Sequence, residues 1–551
     1  GYQMKTSADK IFINARAYTL ESEGVCKEAI VVKDGKFAYV GSNETALADY
    51  QADQVIDLEG KTVLPGMGDS HLHFAAFCKL FSWVDLGGAG SKKEAIDMLA
   101  AKAAETPEGE WITGFNFDQS KWDDSGDRLP TREDLDKATV RHPVMIKRVC
   151  MHAAVANTAA IQKAGIGKDY DFGEGGLVEL DKDGIPTGIF REQASRIFDE
   201  IIPDPFENTE NKKKCMKKGF DLAVSYGLTM MHTYASEIYQ YFENYDDYLE
   251  LNRKGQLPVR MTVCIDNFYN KPFVTKAERE DPFRAVQYGT FKIFSDGSLG
   301  SRSAKLYEPY ADDPDTTGML VISQEDLNER MLKAYEMGLQ PAVHCIGDMG
   351  LDVVLTAIEY TLEKSRERGM TEREQRDRLP FRIIHAQMST PQLIERMKKL
   401  PVELDIQPVF FLTDMHWIRE RVGDKRADMS YVWKTYKDAG LMMSGGSDCP
   451  VEIFSPWNGI YSMVTRKDLD GNPEGGMQPE EKLSVYDAVC MYSKNVPYAN
   501  GEQDLMGTIE AGKFADMVVI DRDIFNIPDD ELKDVQALYT YMAGCQTYCR
   551  G

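Results

Sequence analysis

The chain has 551 residues, 43% apolar and 28% charged, which fits a globular fold of more than one domain and excludes disordered, collagenous and coiled-coil chains. No apolar run approaches the ~18–20 residues of a membrane-spanning helix. With 64 basic and 89 acidic residues the net charge is −25, so neither nucleic acid nor an anionic membrane is an expected partner.

From the N-terminus, short strands are expected at residues 10–14, 29–33, 37–41 and 55–57, separated by turn signals such as Asp34-Gly35 and Glu59-Gly60. The far end reads the same way, with strands expected at 507–510, 515–521 and 537–542. Chain ends often lie close together, so residues 1–65 and 496–551 are expected to form one sheet domain. Between them, eight apolar, β-branched runs end in small or polar residues: 62–73, 227–234, 259–266, 291–296, 341–347, 381–387, 402–408 and 441–448. From the second onward they start about 20–50 residues apart, which suits strand–helix units closing into a (β/α)8 barrel over 66–495. Residues 75–220 are a large insertion after barrel strand 1. It has helices at 92–104 and 132–137 and strands at 111–115 and 143–149, and is expected over the barrel mouth.

The chain has eight histidines, and their placement carries the chemistry. His71 and His73 end the first run, and residues two apart on a strand face one side. His344 ends the fifth run, His385 the sixth and Asp448 the eighth. Four imidazoles and a carboxylate at the C-terminal rim of a barrel suit Zn²⁺ or another borderline divalent ion. Lys292 lies within the fourth run, where burial requires a partner or neutralisation. An ion pair with Asp296 or Glu192 satisfies it; so does reaction of the neutral amine with CO₂ to an anionic carbamate.

The ten cysteines are scattered without a CxxC pair, which points to reduced thiols and a cytoplasmic location. The opening Gly1-Tyr2-Gln3-Met4 leaves a trimmed export signal open. No dinucleotide fingerprint, phosphate loop or nucleophile elbow occurs.

Several stretches together resemble the amidohydrolase superfamily, in its YtcJ-like branch, which includes N-substituted formamide deformylase. They are Leu64–His73, His152–Asn157, Gly188–Glu192, Lys292–Arg302, His344–Asp348, His385–Gln387, Gly446–Val451 and Gly507–Asp516. Asn116-Phe117-Asp118 departs from the Gly-Trp-Asp-like element expected there. The resemblance implies a distorted barrel with a composite β-sandwich from both termini. It implies two divalent ions, zinc foremost, with His71, His73 and Asp448 on one, His344 and His385 on the other, and carboxylated Lys292 bridging them. Glu192 and His152 are then expected near the pocket, with Asp296 and Arg302 as further substrate contacts. The implied reaction is hydrolysis of a non-peptide C–N bond in a small amide by a metal-activated hydroxide, Asp448 carrying the proton. His232 or His152 would face the developing oxyanion. The alternatives are a deaminase or cyclic-amide hydrolase on the same scaffold, or a barrel that binds without turnover. A homodimer is the expected assembly.

Overall fold

The structure, a computed structural model, describes residues 4–149, 151, 153–167, 170, 176–235, 244–268 and 271–551. The chain divides into two compact units, Gly1–Phe74 with Phe220–Gly551, and Ala75–Gly219.

In the first unit, eight strands run parallel in sequence order: β1 (Met67–Leu72), β2 (Leu228–Tyr234), β3 (Arg260–Ile265), β4 (Val286–Phe294), β5 (Gln340–Cys345), β6 (Phe381–His385), β7 (Val402–Ile406) and β8 (Met442–Gly445). Nearly every residue in them is buried, the signature of a parallel sheet covered on both faces. Helices such as Gln324–Glu336, Asp348–Glu367 and Pro391–Lys398 follow β4, β5 and β6, and two of these start on a side-chain cap, Ser323 or Thr390.

No regular ladder joins β8 to β1; individual hydrogen bonds close that seam. Asp448 N donates to His71 O at 2.8 Å and His73 N to Cys449 O at 2.8 Å. Asp69 completes it: Ser447 Oγ donates to Oδ2 at 2.6 Å, and the His71 and Ser447 amides donate to Oδ1. Gly446 is required there, because a Cβ would come within 2.8 Å of His71 N.

Lower in the barrel lies a buried, charged layer. Arg382 Nε donates to Asp405 Oδ2 at 2.8 Å and Nη2 to Ser70 O at 2.7 Å; Glu403 accepts from Ser444 Oγ at 2.5 Å. Beside it Asn500 Nδ2 meets His232 Nε2 at 3.2 Å and Thr262 Oγ1 at 2.9 Å.

The chain ends form two larger sheets, besides a short parallel pair of Thr6–Ser7 with Tyr50–Gln51. One has six strands in the order Cys545–Cys549, Ala537–Met542, Met517–Ile520, Thr62–Pro65, Arg16–Tyr18, Cys26–Lys27; the other has four, in the order Lys36–Gly41, Ala29–Lys33, Lys10–Ile13, Gln54–Asp57. Phe12, Ile30 and Phe37 of the smaller sheet share a core with Val63, Met517, Val519 and Tyr541 of the larger. That is a composite sandwich from both termini. Arg260 at the start of β3 ties it to the barrel through a buried bidentate pair with Asp516, at 2.6 and 3.0 Å.

Three expectations change. The run 62–73 is two strands, split at Gly66, so that its first half joins the terminal sheet and its second the barrel. Residues 507–510 form no strand; Ile509 N donates to Thr19 O, which ties them to the N-terminal segment. β4 begins at Val286, ahead of the expected residue 291, because the polar Gln287 is accommodated inside the barrel by Thr262 and Glu502.

The second unit holds a six-stranded sheet in the order Val84–Asp85, Ile112–Phe117, Val144–Arg148, Ala153–Ala156, Pro186–Glu192, Gly176–Leu180, parallel across its first three strands and antiparallel beyond. Helix Lys92–Ala104, capped by Ser91, packs Leu99 and Ala95 into its core beside Phe117 and Trp122. Phe117 of the divergent Asn-Phe-Asp stretch is fully buried there, and so is Phe411 in the barrel unit; both pack structurally. Among the described residues no helix is long and apolar enough to cross a membrane.

Candidate metal centre

Strand register places the candidate ligands. His344 lies opposite Ile384 and beside Phe294, and His385 opposite Cys345, so the two imidazoles come from adjacent strands at one level. Their ring centroids are 4.6 Å apart, and His385 is 5.5 Å from His71. The closed seam brings Asp448 over β1, where its Oδ1 lies 3.1 Å from His71 Nε2 and 3.0 Å from His73 Nε2. Lys292 Nζ lies 3.3 Å from His71 Nε2. All six candidate ligands therefore meet at one end of the barrel.

The contacts are not those of a self-satisfied network. Asp448 Oδ1 is buried and has no aligned hydrogen-bond donor, although two imidazoles face it. The histidine edges explain this. His73 Nδ1 sits 3.0 Å from the Tyr234 carbonyl, which can only accept, so that nitrogen carries a proton and Nε2 is the edge turned to Asp448. Two imidazole nitrogens and a carboxylate oxygen then converge, with their ligand atoms all within 4.8 Å of one another. That donor set fits a divalent cation.

Burial, and Lys292 beside it, hold His71 well below its ordinary range, so it is neutral, as a ligand must be. Burial pushes the Asp448 carboxyl up, but the facing His71 and His73 outweigh it and hold Asp448 well below the usual carboxylate range. Burial draws Lys292 down to about 8, against the opposing pull of Asp448. Burial, with His344 next to it, takes His385 down to about 3. Two of the candidates occupy left-handed backbone, His385 at φ 81° and Asp448 at φ 56°. Such strain costs about 1–3 kcal/mol per residue and gathers where geometry serves function.

The other candidates lie elsewhere or serve differently. Asp296 is buried, and its carboxylate accepts from the amides of Ile346, Gly347 and Lys305 at 2.8–3.0 Å. It forms no ion pair with Lys292; it clamps the loop after β5, and its Oδ1 lies 3.3 Å from His344 Nδ1. Arg302 is engaged by Asp312 at 3.0 and 3.1 Å. His232 is in the lower layer with Asn500, outside the cluster. Glu192 ends the strand Pro186–Glu192 of the second unit, and His152 lies outside the described residues. Sequence reasoning passed over Gln407, whose Oε1 is 2.5 Å from His385 Nδ1. The signal was weak: Gln407 follows a strand that already alternates apolar residues with Glu403 and Asp405, so a polar residue at its end does not stand out.

The sequence pattern of the amidohydrolase family matches residues 54–548. The chain belongs to this family. Putative amidohydrolase YtcJ of Bacillus subtilis (strain 168) is 31% identical to this amidohydrolase over 543 residues, 96% of this chain and 98% of that protein. N-substituted formamide deformylase of Arthrobacter pascens is 25% identical over 565 residues, 99% of each chain. Among solved structures, an uncharacterized metal-dependent hydrolase from Pyrococcus horikoshii OT3 matches with a TM-score of 0.72 at 27% identity, over 94% of this chain and 99% of that one.

Proposed function

We propose that this amidohydrolase cleaves a carbon–nitrogen bond other than a peptide bond, in a small N-formyl, N-acyl or related amide, with divalent cations held by the rim cluster. The observation that carries this reading is the convergence of His71 Nε2 and His73 Nε2 on one Asp448 oxygen that has no aligned donor. Whole-length similarity to a formamide deformylase and to a metal-dependent hydrolase supports it.

In this reading His71, His73 and Asp448 hold one cation and His344 and His385 a second, zinc suiting imidazole and carboxylate donors. Lys292, with its pKa near 8, has a substantial neutral fraction at neutral to mildly alkaline pH, the form that adds CO₂. A carbamate formed there would supply an anionic oxygen ligand beside the two ligand groups. Cations bound there supply carbonyl polarisation and a lowered water pKa. Asp448, kept ionised, takes the proton from the attacking water and delivers it to the leaving nitrogen. The water oxygen joins the carbonyl carbon, the C–N bond breaks, and a carboxylic acid and an amine leave. Phe294 is 42% exposed with its ring 4.7 Å from Lys292 Nζ, and Phe410 stacks on His385 at 5.9 Å. These aromatic faces favour an uncharged, apolar substituent.

The test is a hydrolysis screen of N-formyl, N-acyl and cyclic amides with zinc-loaded protein, together with metal analysis. About two equivalents per chain, lost in His71→Ala, are expected; a chain that takes up no zinc overturns the proposal. A single-cation deaminase is the second reading. It is favoured by one observation: among the described residues only His71, His73 and Asp448 form a ligand group that close. Activity that survives Lys292→Ala decides for it.

A further inference from the structure

A backbone carbonyl fixes the proton position on His385 through one intervening side chain. Gln407 is the first residue after β7 and is 3% exposed. Its Nε2 donates to the Asp405 carbonyl at 3.1 Å, and its Oε1 lies 2.5 Å from His385 Nδ1. A carbonyl oxygen can only accept, so the amide nitrogen must face Asp405; turned over, two oxygens would oppose each other at that distance. The amide oxygen is then committed to His385, and an oxygen acceptor requires Nδ1 to carry the proton. His385 Nε2 is left with its lone pair. Phe410 lies nearly parallel over the same ring, at 22° between planes, and burial removes water as a competing partner.

We infer that Gln407 is a positioning residue that sets the tautomer of His385 and aims its Nε2 lone pair at the cation. The inference rests on the reading of His385 as a metal ligand. It differs from the arrangement at His73, where a main-chain carbonyl does the same work directly and no side chain can be exchanged to remove it. Partners in this position typically change metal affinity about 10- to 100-fold when lost.

The test needs the full chain, metal-free and titrated with Zn²⁺. Eight histidines give a legible ¹⁵N-histidine spectrum. His385 is assigned by the signal lost in His385→Asn. In the metal-free wild type, His385 is expected with a protonated Nδ1 and a bare Nε2; in Gln407→Leu that pattern gives way to the other tautomer or to a mixture. Competition with a chelator is expected to show zinc held about 10- to 100-fold more weakly in Gln407→Leu. The urea midpoint of the metal-free variant separates this from a loosened fold. A wild-type His385 protonated on Nε2 overturns the inference, and so does zinc bound equally by wild type and Gln407→Leu, while the metal reading stands. Wild-type protein that binds no zinc overturns the metal reading and the inference with it.

Discussion

Two sets of polar side chains occupy the inside of one barrel, and they are wired in opposite ways. In the lower layer opposite characters meet: Arg382 donates to Asp405 and to the Ser70 carbonyl, Ser444 donates to Glu403, and Asn500 donates to His232 and Thr262. At the rim, potential ligand atoms meet. The Nε2 edges of His71 and His73 turn toward one oxygen of Asp448, and left-handed backbone at His385 and Asp448 holds two of the cluster's residues in place. Complementary pairing offsets the cost of burying the groups it joins; a buried carboxylate oxygen with no aligned donor, ringed by imidazole edges, is a place that suits a cation. Burial is common to both layers, so burial alone does not mark a site.

The comparison is sharpened most by Asp448→Asn. Turnover is expected to fall about 100- to 10,000-fold, as for loss of a general base. The urea midpoint of the metal-free chain is expected to hold or rise, since one of the facing acceptors has lost its charge. A variant that unfolds would mean the rim is structural after all. Arg382→Met acts on the other layer: it leaves Asp405 buried and unpaired, and the expected loss is about 3–5 kcal/mol, read from urea unfolding. Asn500→Ala removes one donor from His232 and Thr262. About 1–3 kcal/mol of stability is expected to go, with turnover per folded molecule little changed.

The smallest effect is a pH dependence. Burial, with Asp405 beside it, holds the Glu403 carboxyl well above its ordinary value. In the fold Glu403 keeps a proton that the unfolded chain releases above about pH 4.5. Its stabilising contribution is therefore complete below that pH and is lost as pH rises toward the folded value. Glu403→Gln, which keeps the shape without the titration, is expected to gain stability over wild type progressively between pH 5 and 8 in parallel urea titrations. A constant difference across that range would place the proton elsewhere.

Much of this organisation was legible in the sequence. Apolar runs closed by ligand-type residues mark most of the barrel strands, because a parallel strand buried on both faces is mainly apolar and changes character at the rim; β7, with Glu403 and Asp405 inside the barrel, is an exception. What escaped was mostly short or shared. The run through Thr62 and His73 reads as one strand because both halves are buried; only Pro65-Gly66 hints at the change of sheet, where Gly66 N turns to Asp516 O while Met67 N turns to Gly227 O. Cys545–Cys549 and Arg16–Tyr18 are edge or near-edge strands, polar and brief, without an apolar signal. At the centre, residue types and strand ends revealed the candidate ligands, whereas the tasks of Asp296 and Gln407 depend on neighbours met only in the fold: the amides of Ile346 and Lys305 for one, the edge of His385 for the other.

The seam has a consequence for how the protein is made. Asp69 and His71 emerge from the ribosome hundreds of residues before Ser447 and Asp448, and the strand Thr62–Pro65 waits longer still for Met517–Ile520. Until then an apolar strand edge stays open to passing chains, and the cluster that would capture an ion does not exist. Newly synthesised molecules should therefore rely on chaperones late in translation, and acquire metal only once the last third of the polypeptide has been released.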